Sequence, residues 1–297
     1  MEISKLDELL GVREERRGRA FEHGIFALWI LMFVFQGWSL QIYYSVVEYT
    51  ELYYMRKILS AQNQIFTLNV ISSVIWFIVT LYILYSALRI ERREKYNIAS
   101  GVLFFVSGLA ELIIALILWG YIAELDYINT HLPLLDFDYI QSRLQHISLG
   151  LNLYATASNA AVYLCIGLAF IFIGISIKEF ANKLISSIQA MATFSGYGIS
   201  TGSMTMASPA GYEKVSKEGM IGLDIMREIM SGAKSMRSGG NMYIACGVLD
   251  LLSIFIQGLA TLAFIFFILG VLNAGRGRRI IENVRKRLMS LKVVGVV

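Results

Sequence analysis

Residues Met242–Asn273 read MYIACGVLDLLSIFIQGLATLAFIFFILGVLN, 32 residues with Asp250 as their one charged side chain. At ~1.5 Å per residue the stretch would form about 48 Å of helix. That suffices for one long or tilted bilayer crossing and is too short for a hairpin of two crossings. A basic tail follows, with Arg276, Arg278, Arg279, Arg285, Lys286, Arg287 and Lys292. The first expectation is therefore a final transmembrane helix over 242–273 and a basic tail over 274–297.

Composition extends this reading to the whole chain. Of 297 residues, 56% are hydrophobic and 16% charged, against ~25% charged in soluble domains. Mean hydropathy is +0.60. A disordered chain, a disulfide scaffold and almost any soluble enzyme are excluded, which leaves an all-α polytopic membrane bundle. Cys165 and Cys246 both lie in apolar runs, so no disulfide framework is expected.

Upstream of the final stretch, further spans are expected at about 24–47, 65–88, 98–123 and 151–177, after a basic cytoplasmic N-terminus over 1–23 that carries Arg13, Arg16, Arg17 and Arg19. The first run is too long for a cleavable signal and lacks a small-residue cleavage site. Residues 184–211 (LISSIQAMATFSGYGISTGSMTMASPAG) are uncharged and rich in Gly, Ser, Thr and Met. Read as a loop, they leave five spans, with 16 of the 26 Lys and Arg inside. Read as a crossing over 184–210, they give six spans, 18 basic residues inside and both termini cytoplasmic. The six-span arrangement satisfies the positive-inside rule better. It also makes 184–210 the least apolar span, tolerated where it packs on protein or lines a cavity.

Two carboxylates interrupt the apolar helices, Glu111 in the third span and Asp250 in the last. No Lys or Arg lies within a clear span. Each acid therefore either keeps its proton, because desolvation disfavours the charge, or faces water or a cation. Cys246, Asp250, Ser253, Gln257 and Thr261 recur at helical steps and predict one polar stripe. Ser100, Ser107 and Glu111 repeat the pattern in span three, and Asn69, Ser73 and Thr80 in span two. These stripes read either as hydrogen-bonded seams between helices, about 0.6 kcal/mol per bond, or as a water-filled path with a proton or cation site.

Metal and enzyme chemistry find little footing. Eight of the 12 methionines fall between Met191 and Met242, and thioethers bind Cu(I), but no histidine or cysteine cluster accompanies them. His131, Asp136, Asp138 and His146 read as a solvated connector. No HExxH, P-loop, GxGxxG or GxSxG motif occurs, so no enzyme, cofactor or metal is expected. Ile280, Ile281, Val284 and Leu288 would let the tail lie as an amphipathic helix on anionic lipid; a plain orientation anchor accounts for the tail equally well.

The Gly/Ser/Met segment (Ser195–Gly211), the long final span and the basic tail together resemble the polytopic membrane subunit of conjugation-type secretion systems and its archaeal DNA-import counterpart of the CedA type. The resemblance is one of architecture over the whole chain. It implies a plasma-membrane channel or assembly subunit of a multiprotein translocation apparatus, handling DNA and powered by a separate cytoplasmic ATPase. Its partners would be membrane lipid and either further copies of the chain or small membrane proteins. The alternative is an autonomous small-solute or ion transporter that uses Asp250 and Glu111.

Overall fold

The computed structural model describes residues 55–88, 95–131, 134–194, 217–256 and 258–293, together with helical positions scattered between Gly24 and Ile42. Five helices follow one another: α1 (Met55–Leu88), α2 (Lys95–His131), α3 (Phe137–Phe194), α4 (Lys217–Ser253) and α5 (Leu259–Val293). No strand occurs among the described residues. Among the described residues, four helices are long and apolar enough to cross a membrane, over Lys57–Leu88, Lys95–His131, Asn159–Ala190 and Leu259–Leu288. The protein is thus all-helical with the character of a multi-pass membrane protein.

Each helix packs antiparallel on its neighbour in the chain. α2 stops two residues short of Pro133, whose ring would clash with the carbonyl four residues back if the helix went on. α3 restarts with Ile140 N–H donating to the Asp136 carbonyl at 3.1 Å. On this side of the bundle Leu59, Leu125, Ile128, Ile140 and Ile147 form a satellite core. Arg143 pairs there with Glu124 at 3.3 Å and donates from Nε to the Tyr139 hydroxyl at 3.4 Å. The Tyr139 hydrogen bond, and then the Glu124 charge, raise the guanidinium above its ordinary range.

Two sequence expectations change here. Residues 184–194 do not begin a separate span. They are the end of α3, a single helix of 58 residues, with Leu184 and Ile188 buried; residues 195–210 lie outside the described residues. The Met242–Asn273 stretch is not one helix either. It holds the turn between α4 and α5, and the hairpin has room because its arms extend far beyond the apolar stretch, to Lys217 and Val293.

The turn has a local cause that needs no proline. Ser253 Oγ donates back to the Leu249 carbonyl at 2.8 Å, a bond that competes with the helix ladder and bends it. Gly258, next to the break, is a poor helix former. The backbone tightens as Phe255 N–H donates to Leu252 O at 3.0 Å and Leu259 N–H to Ile256 O at 3.0 Å. These bonds satisfy donors that lipid could not, while Phe255 and Ile256 stand exposed at the tip.

Beyond the apolar zone, α3, α4 and α5 continue as a charged stem. Ile281, Val284 and Leu288 belong to the same core as Ile225, Met226, Ile229 and Ala233. The apolar face of the tail is therefore already occupied by α4, which removes the lipid-surface helix expected from sequence. Across the stem, Arg287 donates to Glu228 at 3.2 Å, with both side chains about half exposed. Exposed pairs contribute little: Arg287→Ala should lower thermal stability by less than about 1 kcal/mol, and added salt should erase the difference.

Candidate functional site

Glycines spaced seven apart set the register of the α1–α2, α3–α4 and α4–α5 seams. At Gly167 an added Cβ would come within 2.7 Å of the Gly247 carbonyl oxygen, and at Gly240 within 2.8 Å of the Gly174 carbonyl oxygen. On the other side of α4, a Cβ at Gly232 would lie 2.9 Å from the Gly277 carbonyl, and one at Gly239 2.6 Å from the Ala274 nitrogen. The adjacent Gly239 and Gly240 thus point to different neighbours, so α4 is gripped between α5 and α3. Gly101 meets Ala87 at 2.7 Å, and Gly108 meets Thr80, between α2 and α1. Without a hydrophobic drive between helices in lipid, such backbone approach is what holds them together.

This register creates an aromatic layer. Phe170 of α3 lies with its ring centroid 5.7 Å from Phe104 of α2, 6.3 Å from Tyr243 of α4 and 5.5 Å from Phe267 of α5. One heptad farther along each of the first three helices come Glu111, Tyr163 and Asp250. A dry aromatic layer therefore sits about 10 Å from a layer of ionisable groups. Tyr163 shares this level with Asp250 and Glu111 by its heptad register. On α5 the residue in register is the fully buried Ala263.

Within the polar layer, Ser73 of α1 donates to Glu111 Oε2 at 2.9 Å. The Cys246 thiol donates to Asp250 Oδ2 at 3.7 Å. Asp250 is 1% exposed, and its Oδ1 accepts no hydrogen bond from the protein. A carboxyl oxygen buried without a donor is costly unless a proton or a cation completes it.

The expected stripe Cys246–Asp250–Ser253–Gln257–Thr261 does not survive as one surface. Cys246, Asp250 and Ser253 share the buried face of α4. Ser253 is occupied by its own helix, and Gln257 lies outside the described residues. Thr261 is exposed on α5, across the turn. Ser100, Ser107 and Thr80 also donate to carbonyls of their own helices, at 2.8, 2.6 and 2.8 Å. They serve close packing rather than a path. Glu111 and Asp250, expected on separate stripes, fall at one level with Tyr163 by register.

Sequence reasoning missed Tyr163, yet a signal was present. Phe104 with Glu111, Phe170 with Tyr163, and Tyr243 with Asp250 are each an aromatic seven residues from an ionisable group. Among the described residues no group of three or more His, Cys, Asp or Glu could hold a metal ion, and both cysteines are free and buried. Neither a protein-family model nor a curated protein nor a solved structure matches the chain.

Proposed function

We propose that the protein is a plasma-membrane conduit, a channel or assembly subunit of a multiprotein translocation apparatus, in which the α4–α5 hairpin closes the path beside the Glu111–Tyr163–Asp250 layer. The observation that supports this reading is the chain reversal between Ser253 and Leu259, within an apolar stretch. Ile254 is 17 positions beyond Arg237, and Arg276 is 17 beyond Leu259, so each arm reaches ~25 Å from its last cation. The hydrocarbon core is ~30 Å thick, and the tip therefore stops short of the far face. Irregular backbone at such depth is tolerated beside protein or water, which suits a gate.

The same hairpin supports one orientation over the other. With crossings by 24–47, α1, α2 and α3, a hairpin that returns to its own side leaves both termini on one face. All Lys and Arg but Arg56, Lys57 and Arg143 then belong to that face, a far stronger bias than with 184–210 as a crossing, and it makes that face cytoplasmic. Six membrane-embedded helices remain, with α4 taking the place assigned to 184–210. DNA as cargo, a separate cytoplasmic ATPase, and further copies or small membrane proteins as partners rest on the resemblance in architecture.

An autonomous ion transporter is the second reading, favoured by the meeting of Glu111 and Asp250 in one layer. Reconstitution separates the two. The assembly reading expects co-purifying partners or a stable homo-oligomer from native membranes, and little flux from the lone chain. The transporter reading expects ion flux from the chain alone, falling at least ~10-fold in Asp250→Asn, as loss of one essential proton-transfer group would cause. A monodisperse monomer from native membranes, with no partner and no flux, would refute both.

A further inference from the structure

We infer that the Glu111–Tyr163–Asp250 layer is a binding site for one exchangeable monovalent cation, either a proton or a sodium-type alkali ion, held chiefly by Asp250 Oδ1. The inference deepens the conduit reading, because it names what the layer takes up.

Geometry supplies the argument. Asp250 is sealed in the seam between α3 and α5 at 1% exposure, with Oδ2 engaged by Cys246 and Oδ1 unmatched. The groups that face it are few. Register brings Tyr163 of α3 to this level; on α4 itself there is Cys246; α5 presents Ala263, and α1 presents Ser73 to Glu111 of α2. Among the described residues no Lys, Arg or His lies at this level, so two ionised carboxylates would stand there without a counter-charge.

The depth fits a cation held away from both surfaces. Glu111 lies 16 residues from Lys95 and 13 from Glu124, or ~24 and ~20 Å along α2, which places the layer near the middle of the membrane. A carboxyl oxygen, a phenol hydroxyl and a second carboxyl are hard oxygen donors. They suit a proton or an alkali ion rather than a soft metal.

The test is labelling of the full-length protein in lipid nanodiscs with dicyclohexylcarbodiimide, which enters from lipid and reacts with protonated carboxyls, followed by mass spectrometry of the modified residue. The expected result is modification at Asp250, lost in Asp250→Asn. If the occupant is a proton, labelling falls about tenfold per pH unit once the acid begins to ionise, equally in sodium, potassium or choline. If it is an alkali ion, sodium at constant pH protects Asp250 and choline does not; sodium also raises the melting temperature of the wild type but not of Asp250→Asn. Tyr163→Phe should shift either dependence while the fold persists.

Labelling of Asp250 that ignores both pH and sodium, or none in the folded protein when the unfolded chain reacts, overturns the site. Absence of both partners and a homo-oligomer from native membranes, with a normal labelling response, would instead remove the conduit reading and leave the site standing.

Discussion

Gly247→Leu and Gly240→Leu should each pry α4 from α3 and lower the melting temperature of the purified protein more than any other single change in the bundle. At Gly167 and Gly240 even a Cβ would meet a facing backbone oxygen at 2.7 and 2.8 Å, and backbone cannot step aside as a flexible side chain can. Overpacking of this kind costs about 1–3 kcal/mol in soluble cores. The upper end applies here because a rigid helix faces each glycine and lipid offers no compensating drive for association. Gly120 and Gly275 supply the control, since a Cβ at either meets nothing within 4 Å. Gly120→Ala should be neutral or gain up to about 1 kcal/mol from helix propensity. Thermal unfolding followed by size-exclusion fluorescence reads both. A Gly247→Leu protein as stable as Gly120→Ala would mean that α3 and α4 are not in backbone contact.

Phe170→Ala comes second. Phe170 is fully buried and touches a ring on each of α2, α4 and α5. Its removal leaves a cavity that straight helices cannot close. Such truncations cost 3–5 kcal/mol in water-soluble cores; here about 3 kcal/mol is expected, because the unfolded reference in lipid gains little from covering the ring. The cavity also adjoins the polar layer, so labelling of Asp250 should rise as the seam loosens. Phe170→Leu should recover most of the stability. Equal stability of Phe170→Ala and wild type, measured by the same melt, would contradict the central aromatic layer.

Membrane character and the two isolated acids were legible in the sequence because hydropathy and buried charge are local properties. The topology of the last third was not. Met242–Asn273 carries no proline and no charge at the turn, and hydropathy cannot tell a long crossing from a hairpin tip. What distinguishes them is a second-order pattern: Gly232 and Gly239 on one arm, Gly270 and Gly277 on the other, each seven apart. These repeats need a facing helix, and with α4 and α5 joined at 254–258 each becomes the partner of the other.

The same turn accounts for the stripe that failed. Steps of three and four from Cys246 to Thr261 assume one helix, and the reversal sends Thr261 to the exposed side of α5. The basic tail misled for a related reason. Its apolar residues at 281, 284 and 288 have amphipathic spacing that serves a lipid surface or a helix partner equally well, and only tertiary packing against Ile225 and Ile229 decides between them. Tyr163 was invisible as a site residue because one aromatic among 37 Phe, Tyr and Trp gives no local signal; its meaning lies in register with Glu111 and Asp250.

The α4–α5 hairpin is tested most directly by cysteine accessibility in sealed, oriented vesicles, in a background with Cys165 and Cys246 replaced by alanine. Ser231→Cys on α4, Asn283→Cys on α5 and Leu134→Cys between α2 and α3 are all exposed positions. A membrane-impermeant maleimide should label Ser231→Cys and Asn283→Cys from one and the same face, and Leu134→Cys from the other. Labelling of Ser231→Cys and Asn283→Cys from opposite faces would mean that Met242–Asn273 crosses once, and the account built on the hairpin would be wrong.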